Sequence, residues 1–459
     1  MAAERYTFGM EFLSCDPSTG ETVYTRPGWS VDRLQQAISR LRQHQHAWRG
    51  RPIDERVARI RRLGELIEAN VDRLAPVITL EVGKLIHEAR AELEKTARLC
   101  HYYADLAPTL LQPQTIPTSA SRSGVSFEPL GLVFAVMPWN YPVWQALRFA
   151  VPALAAGNGC LLKPAPTVPQ STALLLELMQ EADIPVFDVA WIDVDAVETA
   201  IAGCDAVAFT GSTRTGRLIA SLAGKHIKKT VLELGGSNPV LILRDADLAT
   251  AAQECTMSRF RDAGQSCNAA KRLIVVPEIA DDFLQAFMAE VTRLTPGDPR
   301  LPGTTLAPLH RADLRAQLHD QITDACRHGA RCLSGGQLPD GPGFYYPATV
   351  LDHVSPACRI YHEEAFGPAA SILRAENEAD AVRLANDTPF GLGAAVYSQD
   401  LLRAERLARD IEAGSVFINR HTSSDLRLPF GGVKASGYGR ELSEFGLYEF
   451  VNVKTFWQR

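Results

Sequence analysis

A chain of 459 residues is longer than one hydrophobic core serves, so two or three domains are expected. With 46% hydrophobic and 22% charged residues it has the make-up of a folded globular protein, and a net charge of -6 gives nucleic acid no reason to bind. Nine scattered cysteines with no CxxC pair argue against a metal finger or a disulfide framework and for reduced thiols in a cytoplasmic protein; no metal is expected. Residues 1–20 show no apolar stretch behind a basic start, and no run reaches the ~20 apolar residues of a membrane span, so neither a signal peptide nor a membrane partner is expected.

In chain order, residues 31–108 are rich in Ala, Leu, Arg and Glu at helical spacing, and Ile53 to Ala104 reads as two or three amphipathic helices. Ser121 to Glu128 looks extended. From 131 the texture changes. Short apolar runs at Gly131–Val136, Gly159–Leu162 and Ala206–Phe209 alternate with helical segments, the pattern of a parallel sheet buried on both faces. Phe149 to Leu162 reads as a buried helix end running into a strand. A second αβ series starts near Pro239. Its helix begins at Asp245 or Asp247, passes Leu248, Ala251, Cys255 and Arg259, and is expected to end at Gly264, which leaves Cys267 on a loop. The strand Leu273–Val276 follows, then units at Glu378–Asn386 and Leu401–Glu412. Glu449 to Trp457 looks extended and pairs either with Ser121–Glu128 or with another subunit. The fold class is α/β, with domains interleaved along the chain.

Two motifs carry chemistry. Glu233 lies in Leu232-Glu233-Leu234-Gly235-Gly236, and Cys267 in Gly264-Gln265-Ser266-Cys267. A thiolate attacks a carbonyl and a carboxylate takes a proton from water, so the two together suit covalent oxidation of a carbonyl. The site is expected to favour the thiolate at neutral pH. Asn140, in Pro138-Trp139-Asn140-Tyr141-Pro142, reads either as a turn residue or as a neutral N–H donor to an oxyanion. There is no GxGxxG. Instead Phe209-Thr210-Gly211-Ser212-Thr213-Arg214-Thr215-Gly216 follows a strand and opens a helix, whose N-terminus suits a pyrophosphate.

In order and spacing, these motifs resemble the aldehyde dehydrogenase superfamily over nearly the whole chain. The resemblance implies a Rossmann-like cofactor domain from 1–110 and 130–235, an α/β catalytic domain from 236–435, and oligomerisation segments at 111–129 and 436–459. It implies a homodimer or homotetramer. It makes Cys267 the nucleophile, Glu233 the base, and Asn140 with the Cys267 N–H the oxyanion donors. NAD or NADP is then held by Val136, Trp139, Lys163, Pro166, Gly211, Ser212, Glu364 and Phe366. Many NAD-preferring members have a Glu where this chain has Pro166. Its loss removes a repulsion toward a 2′-phosphate and leaves Lys163 free to meet one, so NADP is tolerated or preferred. Some relatives have a second cysteine two residues after the nucleophile. This chain has Ala269, so a redox disulfide there is not expected.

Arg148, Arg261 and Ser424 match positions at which the succinate-semialdehyde dehydrogenases of that superfamily bind the distal carboxylate. The physical logic is general: a short aldehyde with a negative tail needs fixed donors at a set distance from the nucleophile. Two buried arginines near one site imply an anionic ligand or acidic partners. The expected reaction is oxidation of succinate semialdehyde to succinate. Another ω-carboxy aldehyde such as glutarate semialdehyde, a broad range of short aliphatic aldehydes, or a non-catalytic nucleotide-binding role stand as alternatives.

Overall fold

The computed structural model describes residues 11–459. Four helices, Val31–Arg49, Ile53–Ala69, Val71–Val82 and Ile86–Leu110, precede the sheets. Ser30 caps the first by accepting from Arg33 N, and Gly83, at φ 90°, ends the third in the left-handed conformation. Ala89, Leu93, Ala97, Cys100 and Ala104 form a buried stripe on the fourth, which packs against the second through Ile60, Leu63 and Ile67.

The first sheet has six strands, ordered Gly437–Tyr438, Lys229–Glu233, Ala206–Thr210, Leu132–Val136, Gly159–Lys163 and Phe187–Val189. All pairs are parallel except the first. Gly159–Lys163 and Ala206–Thr210 are buried along their whole length, which is why they read as unbroken apolar runs. From Leu132–Val136 the chain first builds outward on one side and then returns to add Ala206–Thr210 on the other. The crevice at that reversal, beyond the strands' carboxyl ends, is where such sheets bind ligands.

The second sheet has seven strands: Arg331–Ser334, Thr349–Asp352, Ala369–Arg374, Ala270–Val275, Asn238–Ile242, Gly393–Tyr397 and Ser415–Ile418. Only the edge strand Arg331–Ser334 is antiparallel. Glu233 ends a strand of the first sheet and Asn238 begins a strand of the second. The carboxyl ends of one sheet therefore face the amino ends of the other across four residues, and the loops carrying Cys267 and Glu364 run into those amino ends.

The two extended segments pair with each other. Val451–Gln458 runs antiparallel to Arg122–Pro129, from Val451 opposite Pro129 to Gln458 opposite Arg122, and Gln114–Thr115 completes a three-stranded sheet. The expected segment 436–459 divides. Gly437–Tyr438 closes the edge of the six-stranded sheet against Lys229–Glu233, and only Val451–Gln458 joins the small sheet. A hairpin of Glu11–Cys15 and Thr22–Pro27 was not anticipated, although Asp16-Pro17-Ser18-Thr19-Gly20 between them is a turn sequence, with Gly20 at φ 83°.

The helix before Cys267 is capped by Asp247, whose side chain accepts from Thr250 N. It ends at Phe260, four residues earlier than expected at Gly264. Asp262 and Ala263 (both φ 51°) and Gly264 (φ 73°) are consecutive left-handed residues that turn the chain toward Cys267. At Gly264 a side chain would also run into the Gly367 carbonyl and the Arg259 guanidinium. Gly264→Ala is expected to lower the midpoint of thermal unfolding by roughly a few degrees, through strain of about 1–3 kcal/mol, and to reduce turnover. Calorimetry beside an activity assay measures both.

Candidate active site

Cys267 follows the left-handed turn and is held by its main chain. Its carbonyl accepts from Asn238 Nδ2 at 2.8 Å and from Lys271 Nζ at 3.0 Å. Its own N–H makes no hydrogen bond among the described residues and is free to donate. Asn140 donates from Nδ2 to the carbonyl of Gln265 at 2.9 Å, two residues before the thiol, which fixes its amide orientation. The second Nδ2 hydrogen has no acceptor in that contact, and Oδ1 is buried without a partner. The Asn140 amide is thus held against the segment that carries Cys267, whose own N–H is unpaired among the described residues.

The thiol is not held as a thiolate at neutral pH, contrary to expectation. Burial pushes it up to about 11, further than nearby Lys271 and Arg148 pull it down, with Glu364 and Glu233 adding to the rise. Glu233 is also buried, and neither carboxylate oxygen has a hydrogen-bond partner. Burial, then the charge of Glu441, raises it well above the ordinary carboxylate range. A carboxyl so placed passes readily between neutral acid and base.

Arg148, on the helix Pro142–Ala155, is 2% exposed and forms an ion pair with buried Glu441. Arg261 lies just past the end of its helix, 3.5 Å from the carboxylate of Asp262. Of the two arginines expected to be buried only Arg148 is; the Arg261 side chain is 42% exposed at the cavity mouth, and each has an acidic neighbour. Ser424 accepts a hydrogen bond from Lys95 Nζ. Arg148, Arg261, Ser424, Lys95, Trp144 and Cys267 line one cavity of about 440 Å³.

The nucleotide residues gather at the facing sheet ends. Val136 and Lys163 end adjacent strands, and Gly211 and Ser212 precede the helix Thr213–Lys225. Ser212 Oγ caps that helix by accepting from Thr215 N, so an anion there is left chiefly the first-turn N–H groups. Lys163 is buried, among the described residues no carboxylate lies within 4 Å of its Nζ, and burial brings its ammonium down to about 8, against the pull of Asp193. The Pro166 carbonyl accepts from Leu13 N, and the ring brings no charge. Glu364 is held by Lys271 Nζ at 2.5 Å and Gly236 N at 3.1 Å, and a side chain at Gly235 would collide with it. Trp139 stands edge-on to Phe366 at 5.9 Å and stacks on neutral His310 at 4.0 Å. A buried ammonium, the remaining first-turn N–H groups of a helix, a fixed carboxylate and two aromatic rings suit a phosphate-bearing dinucleotide.

Sequence reasoning missed Asn238, Lys271, Glu441 and Lys95. Only Lys95 left a trace: Glu88, Glu92 and Lys95 fall at i, i+4 and i+7 beside the buried stripe of Ile86–Leu110.

Comparisons with known proteins place the chain in a family. Residues 7–456 match the model of the aldehyde dehydrogenase family. The chain is 43% identical to a succinate-semialdehyde dehydrogenase [NADP(+)] of Deinococcus radiodurans, covering 96% of this chain and 94% of that one. It is 42% identical to a succinate semialdehyde dehydrogenase [NAD(P)+] of Escherichia coli, covering 97% of each. A crystal structure of the Streptococcus pyogenes succinic semialdehyde dehydrogenase with NADP+ superposes with a TM-score of 0.95 at 35% identity, over 97% of this chain and 99% of that one.

Glu441→Gln tests the electrostatics. Glu233 acts as a base only above its pKa, and the Glu441 charge raises that pKa. Removing the charge, and freeing Arg148, lowers it, so the rising limb of the pH–kcat profile is expected to move to lower pH. Steady-state rates across pH report the shift.

Proposed function

The chain belongs to the aldehyde dehydrogenase family, and from that premise we propose that it oxidises succinate semialdehyde to succinate with NAD or NADP. The observation that carries this reading is the cavity itself, with the thiol of Cys267 in one wall and Arg148, Arg261, Ser424 and Lys95 in the others. A four-carbon aldehyde ending in a carboxylate matches a pocket that offers a nucleophile and an excess of cationic donors.

In this reading Cys267 Sγ bonds to the aldehyde carbon as its proton passes to solvent in the cavity, and the proton that Glu233 later takes from water restores the thiol. The Asn140 amide and the Cys267 N–H hold the resulting oxyanion. The dinucleotide, when bound, would supply the hydride acceptor, and Cys267 would keep the oxidised acyl group as a thioester. Glu233 takes a proton from water as the water's oxygen attacks that thioester. The C–S bond breaks, the acid leaves, and the thiol is restored. Lys163, the Thr213–Lys225 helix N-terminus, Glu364 and Phe366 hold the dinucleotide. With Pro166 in place of a carboxylate, NADP is accepted, and its 2′-phosphate would hold Lys163 in the charged form.

The assembly is proposed to be a homodimer or homotetramer joined through the small sheet. Val451–Gln458 is its edge strand, and Val453 and Trp457 on it are each 55% exposed. Among the described residues no helix is long and apolar enough to cross a membrane. A cytoplasmic location remains part of the proposal.

Initial rates of NAD(P)H formation with succinate semialdehyde and with butyraldehyde, each with both dinucleotides, test the reading. A kcat/KM preference of about tenfold or more for the acid aldehyde is expected, since a charged hydrogen bond is worth ~1.5–3 kcal/mol. Equal values would remove the substrate assignment. Cys267→Ala is expected to lose turnover on both aldehydes.

A further inference from the structure

Most charges around the substrate cavity are paired. Arg148 is neutralised by Glu441. Lys84 lies 2.8 Å from Glu92 and 3.4 Å from Asp262, while Arg261 faces the same Asp262 at 3.5 Å, so two cations meet two carboxylates. Glu88, in the cavity wall, accepts from the N–H groups of Leu85 and Asp262, and burial with the Asp262 charge pushes it up to about 8, which leaves it largely neutral at pH 7. Asp425 is held by Arg427 at 2.8 Å. Lys95 is the exception. Among the described residues no carboxylate lies within 4 Å of its Nζ, which sits 4.5 Å from the Trp144 ring centroid and donates to Ser424 Oγ.

Resting on the acid-semialdehyde reading above, we propose that Lys95 supplies the uncompensated charge that the substrate carboxylate pairs with, which makes it the residue that selects an anionic over an uncharged aldehyde. The two arginines shape the pocket, but each already faces a carboxylate. Ser424, by accepting from Lys95, has its own hydroxyl hydrogen turned away from the ammonium and available to donate to the same carboxylate. One ammonium thus pairs with the anion and orients its second donor.

The surroundings make this charge sensitive to pH. Burial, then Arg261, Arg148 and Arg98, brings the ammonium down to about 7, while Asp425 opposes them. Glu88 and Glu92 lie further along its own helix. The ammonium is present below that pH and lost above it. Selection for the anionic aldehyde therefore weakens as pH rises through neutrality.

The test uses the full chain and the ratio of kcat/KM for succinate semialdehyde to that for butyraldehyde, in which groups common to both reactions cancel. Lys95→Met is expected to lower this ratio by about 10- to 100-fold, largely through KM for the acid, while butyraldehyde turnover persists and reports an intact fold. Lys95→Arg is expected to keep a high ratio and to abolish its fall between pH 6 and 9. A Lys95→Met ratio equal to wild type, or the same pH-dependent fall in Lys95→Arg, overturns the proposal. A wild-type enzyme without preference for the acid fails at the substrate reading itself, before any variant is measured, and takes the Lys95 proposal with it.

Discussion

The grip of Asn238 and Lys271 on the Cys267 carbonyl is the contact on which the site depends. It ties the Cys267 loop to the first residue of one strand and to the strand beside it. Asn238 follows Glu233 by only five residues, so Glu233, at the end of a strand of the other sheet, is positioned by the same short link. Lys271 also holds Glu364, which joins the thiol loop to the dinucleotide-binding end. Glu233 is therefore set by a strand end, and the loops of Cys267 and Glu364 are tied to strand residues Asn238 and Lys271, the kind of fixing that a reaction between positioned atoms requires.

Burial then decides the chemistry. Both the thiol and the Glu233 carboxyl are pushed toward their neutral forms by desolvation. The reacting charges must be made when needed, in the presence of Lys271 and Arg148, and not stored beforehand. The carboxylate of Glu441, next to Arg148, links the substrate pocket to the base, because it compensates one and raises the pKa of the other. The ion pair thus neutralises Arg148 in the pocket wall and, after burial, adds to the raised proton affinity of Glu233.

Much of this was legible in the sequence because it is local. The buried strands appear as unbroken apolar runs, Asp247 marks a helix start, and the motifs around Asn140, Ser212, Glu233 and Cys267 each fall at the end of an element. The pairing of Ser121–Glu128 with Glu449–Trp457 was one of two open alternatives, and no local signal chooses between them. The early end of the helix at Phe260 was hidden because Asp262 and Ala263 adopt left-handed backbone that their types rarely take. Long-range charge pairing was not visible at all. Arg148 and Glu441 are far apart in sequence, so a residue read as a substrate anchor proved to have an internal partner. Lys95 looked like any lysine of an amphipathic helix until its neighbours from three other segments were in place.

The central claim is that the acid aldehyde passes through a thioester on Cys267 that Glu233 resolves. Mass analysis of a Glu233→Gln variant, mixed with succinate semialdehyde and NADP and quenched in acid, tests it most directly. The account predicts the mass of one succinyl group on the peptide carrying Cys267, formed only when the dinucleotide is present. An unmodified Cys267 peptide beside continued NADPH formation, or the succinyl group on a different residue, would contradict it.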